Sequence, residues 1–224
     1  MSAATLQSPG APFGRVLTAM ATAFAPDGSV DLDGTAAIAR HLVAHGHDGV
    51  VVSGTTGESP TTSVAEDGEI LRAVRDAVGD DAVVVAGVGT NSTSHSVELA
   101  EQAAKLGADG LLLVAPYYSK PGQAGVLAHF RAVVGATDVP VMLYDVPGRT
   151  ATQIALETYE AAIALEPVVA VKDAVGDLAR GVRLREMGYA VYSGDDEANL
   201  GWLAHGAVGM VSVVGHVAGP RLRT

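Results

Sequence analysis

Residues 168–174 read Val168-Val-Ala-Val-Lys-Asp-Ala174. Three valines and an alanine run unbroken up to Lys172. A short β-branched run without polar alternation fits a strand buried on both faces, because a half-exposed strand would alternate. Both faces are covered when helices flank a parallel sheet, so the stretch predicts an α/β fold. Two roles fit the lysine that ends the run. Its stem can lie along apolar surface with the ammonium reaching water. Alternatively, burial depresses its pKa, and the neutral amine becomes a nucleophile toward a carbonyl carbon.

Outward from this stretch the same unit recurs: a short apolar run, a loop carrying Gly or Pro, then an amphipathic segment. The runs span 16–22, 49–53, 82–87, 110–115, 140–144, 168–172, 190–193 and 207–213. Helical patterns fall at 31–45, 63–78, 92–106, 122–136, 154–165, 178–187 and 197–205. The first opens with acids and closes with His45, as the helix dipole favours, and Ser63-Val-Ala-Glu66 has the spacing of a capping box. Alternating β and α on this scale implies a parallel sheet with right-handed crossovers, and eight units imply a (β/α)8 TIM barrel. A doubly wound sheet is the alternative, but no strand leads into a G-x-G-x-x-G turn. Residues 1–14, rich in Ser, Ala and Pro, are expected to form a flexible tail, with 15–224 as the barrel domain. After the last strand only Gly215-His-Val-Ala-Gly-Pro-Arg-Leu-Arg-Thr224 remains. That is too short for a full eighth helix, so the barrel is expected to lack its last helix and to be C-terminally incomplete.

Composition narrows the function classes. With 224 residues, 48% of them hydrophobic, the chain can bury one sizeable core. A formal charge of −11 disfavours nucleic acid and anionic membrane surfaces as partners. The chain has no cysteine, hence no disulfide framework and no thiolate metal site. No run approaches the roughly 20 apolar residues of a membrane helix, and the first residues lack the basic and apolar regions of a secretory leader. A cytoplasmic location is expected.

In a barrel of this kind chemistry gathers at the C-terminal ends of the strands. The second strand ends in Ser53-Gly-Thr-Thr-Gly-Glu-Ser59, a loop whose N–H groups and hydroxyls suit an anion, although a loop without a ligand has the same composition. The fourth ends in Pro116-Tyr-Tyr118. One tyrosine can face a pocket and the other a partner surface, or either can be interfacial packing. The fifth ends in Tyr144-Asp-Val-Pro-Gly-Arg149, a phenol placed for proton transfer and a guanidinium placed to fork onto a carboxylate. The seventh ends in Ser193-Gly-Asp-Asp196, where capping of the next helix explains the acids better than a metal. His41, His45 and His47 fall at a helix end, and His95 and His129 read as surface or capping residues. No metal site is expected.

Taken together, Gly54-Thr-Thr-Gly-Glu58, Pro116-Tyr-Tyr118, Tyr144-Asp-Val-Pro-Gly-Arg149 and Val171-Lys-Asp173 resemble the dihydrodipicolinate synthase / N-acetylneuraminate lyase family of Schiff-base barrel enzymes, over residues from about 14 to 224. The resemblance implies a lyase of lysine and diaminopimelate biosynthesis. Lys172 would form an imine with pyruvate, and the enamine would attack aspartate semialdehyde. Tyr144, Thr55 and Tyr118 would relay protons, Tyr118 by reaching into a neighbouring subunit. Thr56 would hold the pyruvate carboxylate and Arg149 that of the aldehyde, with Gly194 and Val211 lining the pocket. No cofactor beyond the imine is implied, and the expected assembly is a homotetramer, a dimer of dimers. Other readings are a pyruvate-dependent aldolase of the 2-keto-3-deoxy-sugar type, against which Arg149 speaks, or an inactive truncated homologue. Members of the family continue beyond this point into a helical C-terminal domain. Lysine-inhibited members carry an acid at the position of His95 and a histidine at that of Asp67, while Ser59, Asn91 and Tyr117 are retained here. Weak or absent inhibition by lysine follows.

Overall fold

The computed structural model of the protein describes residues 10–223. Its strands are β1 (Val16–Ala19), β2 (Gly49–Val52), β3 (Val83–Gly87), β4 (Gly110–Val114), β5 (Val141–Asp145), β6 (Val168–Asp173), β7 (Ala190–Ser193) and β8 (Gly209–Ser212). All neighbours pair in parallel, and β8 closes on β1 through Val16↔Met210, Leu17↔Val211 and Thr18↔Ser212. The helices are α1 (Leu32–Ala44), α2 (Val64–Val78), α3 (Thr93–Lys105), α4 (Gln123–Val134), α5 (Pro147–Thr150), α6 (Leu156–Ala162), α7 (Leu178–Glu186), α8 (Asn199–Ala204) and α9 (Gly215–Leu222). Each predicted strand and helix is present, with ends displaced by a few residues.

The period of two along each strand divides the apolar residues between two cores. Val51, Val85, Leu112, Met142, Ala170 and Val211 fill the barrel interior. Val50, Val52, Val84, Leu111, Leu113 and Val171 face the helix layer. The same alternation places Lys172 inward and Asp173 outward. The capping box of α2 is formed: the Ser63 hydroxyl accepts from the Glu66 N–H, and the Glu66 carboxylate accepts from the Ser63 N–H.

Three features depart from the sequence pattern. Within the stretch expected as tail, Ala11 and Phe13 are buried, and the Phe13 N–H donates to the Tyr192 hydroxyl at 3.1 Å, so these residues plug the N-terminal mouth of the barrel. Residues 1–9 lie outside the described part. The residues after β8 are more than a bare tail, because Gly215–Leu222 form the short, kinked α9. The Arg223 guanidinium beyond it donates to the Asp48 carboxylate at 2.7 Å and to the Gly46 carbonyl, tying this end to the start of β2. His129 is no surface residue. It is 3% exposed, Nδ1 stands 2.9 Å from the Thr93 hydroxyl, and burial lowers its pKa to about 4, so it is neutral.

Candidate active site

The C-terminal ends of β2 to β5 open onto a cleft of about 220 Å³. Its wall includes Gly54 and Thr55 after β2, Gly87 on β3, Tyr117 after β4, Tyr144 on β5 and Arg149 on α5. The loop after β2 is fixed by unusual backbone: Ser53 and Glu58 hold φ near 49° and 60° in the left-handed region. Inside it the Glu58 N–H donates to the Thr55 carbonyl and the Ser59 N–H to the Gly54 carbonyl, both at 3.2 Å. Thr22, in the loop after β1, clamps it, its hydroxyl donating to the Gly57 carbonyl at 2.8 Å. The loop lies so close to β3 that a Cβ on Gly87 would fall 2.1 Å from the Ser53 carbonyl oxygen. Only glycine admits this approach. Thr56 is half-buried in the same loop but does not line the cleft.

On β5 and β6 the register sets Tyr144 opposite Lys172. Lys172 is 5% exposed and Tyr144 6%. The amine lies over the phenol ring, Nζ 4.3 Å from its centroid. Lys172 is not itself a wall residue; it stands against one. Burial lowers the Lys172 pKa from 10.5 to about 8, the Asp196 carboxylate pulls it back up, and the Arg149 guanidinium lowers it further. Burial also raises the Tyr144 pKa, while Arg149 and a hydrogen bond with Thr55 oppose that rise. The geometry thus supplies an amine whose neutral form is far more accessible than that of a free lysine, beside a protonated phenol with a hydroxyl partner.

The remaining predicted residues are placed as follows. Arg149 sits on the single turn α5, started by Pro147 and closed by Ala151 in the left-handed region, and its side chain is exposed toward the cleft it lines. Gly194 backs the lysine: a Cβ there would fall 3.0 Å from Lys172 Cγ and 3.1 Å from Cε. Val211 is 1% exposed in the interior core that also holds Tyr144. Tyr118 is not brought to this site within the chain. It is 85% exposed with φ near 70°, pointing a phenol away from its own barrel. Of the acid pair after β7, Asp195 caps the following turn, accepting from the Glu197 N–H. Asp196 accepts from the Ser212 hydroxyl and from the Val213 and Val214 N–H groups. Those bonds hold the β8 loop and account for its lowered pKa against the opposing effect of burial. Among the described residues no cluster of three or more His, Cys, Asp or Glu is placed to hold a metal ion.

The sequence pattern missed a buried ionic group behind the site. Arg180 on α7 bridges Asp145 and Asp173, the residues that follow Tyr144 and Lys172. Burial raises the Asp145 pKa to about 6 despite the opposing pull of Arg180. An acid directly after each key strand-end residue was the available clue.

Comparison with known proteins places this geometry in context. A model of the dihydrodipicolinate synthetase family matches residues 12–224. The 4-hydroxy-tetrahydrodipicolinate synthase of Acidothermus cellulolyticus is 61% identical over 210 residues, covering 93% of this chain and 68% of that protein. A second such synthase, from Streptomyces coelicolor, is 57% identical, covering 98% of this chain and 74% of that one. Among solved structures, the synthase of Cyanidioschyzon merolae with lysine bound superposes with a TM-score of 0.92 at 43% identity, over 95% of this chain and 74% of that chain. The chloride-inhibited enzyme of Acinetobacter baumannii complexed with pyruvate gives 0.89 at 35% identity, over 93% and 72%.

Proposed function

This chain belongs to the dihydrodipicolinate synthetase family, and we propose that Lys172 is the amine through which it works. Its reaction is the condensation of pyruvate with L-aspartate 4-semialdehyde to 4-hydroxy-tetrahydrodipicolinate, a lyase-class step of lysine and diaminopimelate biosynthesis. The observation that carries the proposal is the buried Lys172 amine lying 4.3 Å over the Tyr144 ring at the C-terminal end of the barrel.

Neutral Nζ adds to the ketone carbon of pyruvate, and loss of water leaves an iminium. That cation is the electron sink: a methyl proton departs and an enamine forms. The enamine carbon attacks the aldehyde, a C–C bond forms, and the amino group of the second substrate displaces Lys172 as the ring closes. Tyr144 hands protons to and from the departing water and the new alcohol, with Thr55 as its hydroxyl partner. Glu58 and Ser59 use their N–H groups to close their own loop. The pyruvate carboxylate is assigned to Thr56, half-buried in the loop behind the cleft wall, and to the amides before Glu58, while Arg149 forks onto the carboxylate of the semialdehyde. Gly194 and Val211 shape the space around the lysine stem. No cofactor enters, because the iminium supplies the sink. Tyr118, aimed away from its own barrel, completes the relay of a neighbouring copy in a dimer, and two dimers pair into a tetramer. No helix among the described residues is long and apolar enough to cross a membrane, and we place the enzyme in the cytoplasm.

Imine formation tests this reading through pH. At pH 7 an amine with a pKa of about 8 is roughly 10% neutral, against about 0.03% for one at 10.5. The neutral form attacks, so the rate of pyruvate imine formation is expected to rise with pH and level off above about 8. A rise that continues toward 10.5 would mean the amine is not depressed. The relative from Cyanidioschyzon merolae was solved with lysine bound. Here Asp67 is 8% exposed, takes a hydrogen bond from the Thr62 hydroxyl at 2.8 Å, and is turned into the protein. With His95 nearby in place of an acid, neither of these two positions offers an ammonium ligand a free carboxylate. Little inhibition is expected at lysine concentrations up to about 1 mM, and potent inhibition in a steady-state assay would contradict this.

A further inference from the structure

Tyr144 and Lys172 meet because β5 and β6 hold one register from Met142↔Ala170 to Asp145↔Asp173, and that register begins just past an irregularity. Val141 pairs with Val168, but Met142 pairs with Ala170, so β6 carries an extra residue at Val169. A bulge of this kind disrupts the ladder locally and re-aims the side chains that follow it. Because side chains alternate, a slip by one residue past it would turn Lys172 out of the barrel.

A second tie between the two strand ends lies on the outer face. Asp145 and Asp173 pair in the same register as Tyr144 and Lys172, one residue further along each strand. Both are fully buried. The two ends of the Arg180 guanidinium reach one acid each: Nη1 donates to Asp173 at 2.7 Å, and Nη2 donates to Asp145 at 2.7 Å and to the Ile154 carbonyl at 2.6 Å. The cation also lies 5.2 Å from the Tyr159 ring centroid. Each acid is held from a second side, Asp145 by the Ile154 N–H at 3.2 Å and Asp173 by the Val175 N–H at 2.8 Å. Buried ion groups are weak sources of stability, and apolar replacements often match or exceed them. What a rigid planar fork between two strands supplies is a fixed distance.

We infer that Arg180 is a positioning residue, locking the ends of β5 and β6 through Asp145 and Asp173 so that the Lys172 amine stays over the Tyr144 ring. The inference rests on the reading that Lys172 and Tyr144 carry the chemistry. It is tested with R180K, which keeps the charge but loses the fork, and with D145N/D173N/R180M, which removes the bridge without stranding a buried charge. Thermal melting reports the fold, borohydride trapping of pyruvate reports the imine, and steady-state kinetics separate kcat from KM. The triple variant is expected to melt close to the parent yet form the Lys172 imine about 10- to 100-fold more slowly, with kcat falling more than the pyruvate KM changes, and R180K is expected to fall between. Imine formation at the parent rate in the folded triple variant overturns the inference. If the triple variant does not fold, R180K decides: a parent-like rate overturns the inference, and a rate about tenfold lower with an intact fold supports it. A parent protein that forms no adduct at Lys172 removes the premise, and the inference falls with it for a reason the variants alone would not give.

Discussion

Replacing Lys172 with methionine is expected to lower kcat/KM by at least about 10⁴-fold, the scale on which loss of a covalent nucleophile acts. It should also abolish the pyruvate adduct altogether. No other lysine can stand in, because covalent catalysis needs the amine at the carbonyl carbon, and Lys172 is the buried cation that lies over Tyr144. The fold should survive. Methionine matches the stem in length and length of apolar contact, and the amine is a liability to folding. Its folded pKa of about 8 lies below the unfolded 10.5. At pH below about 8 the ammonium is charged in both states and the burial penalty is present in full. Between 8 and 10.5 the unfolded chain binds more protons, so stability rises with pH, and above 10.5 the penalty is gone. At pH 7 the substitution therefore removes a penalty of about 3 kcal/mol, offset by whatever contacts Nζ makes. Thermal melts alongside the kinetics check this: an inactive variant that melts at or above the parent fits, and a variant with parent-like kcat/KM does not.

Tyr144→Phe is the second large effect. The substitution deletes one oxygen from a side chain that is 6% exposed, and the ring stays in the interior core. In the proposed reaction, what is lost is a protonated phenol beside the Lys172 amine with Thr55 as its partner. General acid–base groups of this kind contribute about 10²–10⁴-fold. The loss should fall on kcat, with the pyruvate KM changed little, since the proposed carboxylate contacts lie on the β2 loop. The imine should still form, only more slowly, because Lys172 remains depressed by burial. Trapping over time separates the two residues: no adduct for the lysine variant, a slow but complete adduct for the phenylalanine variant. An unchanged kcat would remove Tyr144 from the proton relay.

The barrel was legible because its strands are short, mostly apolar runs bounded by Gly, Pro and acids, and because they alternate with helical patterns along the whole chain. Ends were less legible. Residues 16–22 read as one run, but β1 stops at Ala19, where the chain turns to bring Thr22 onto the β2 loop. The helices α5 and α9 were not read at all. The first has a single turn and therefore no period, and the second carries two glycines and a proline, residues that argue against a helix in any propensity count. His129 looked like a surface residue because nothing local marks its burial; the cover comes from packing of α3 on α4. The candidate site was legible at Thr55, Tyr144, Arg149 and Lys172 as a set of neighbours, since each ends a strand or opens the loop after one. Arg180 was not, because its partners lie 35 and 7 residues away and its role depends on the pairing of β5 with β6. Tyr118 stands between: its motif marks it, yet its own chain offers it no partner in the cleft.

The most direct test of the central claim is borohydride trapping of the purified chain with pyruvate, followed by intact mass and peptide mapping. A single reduced pyruvate adduct, located on Lys172, is the predicted result. An adduct on any other lysine, or none from folded protein, would contradict the assignment of Lys172 as the nucleophile.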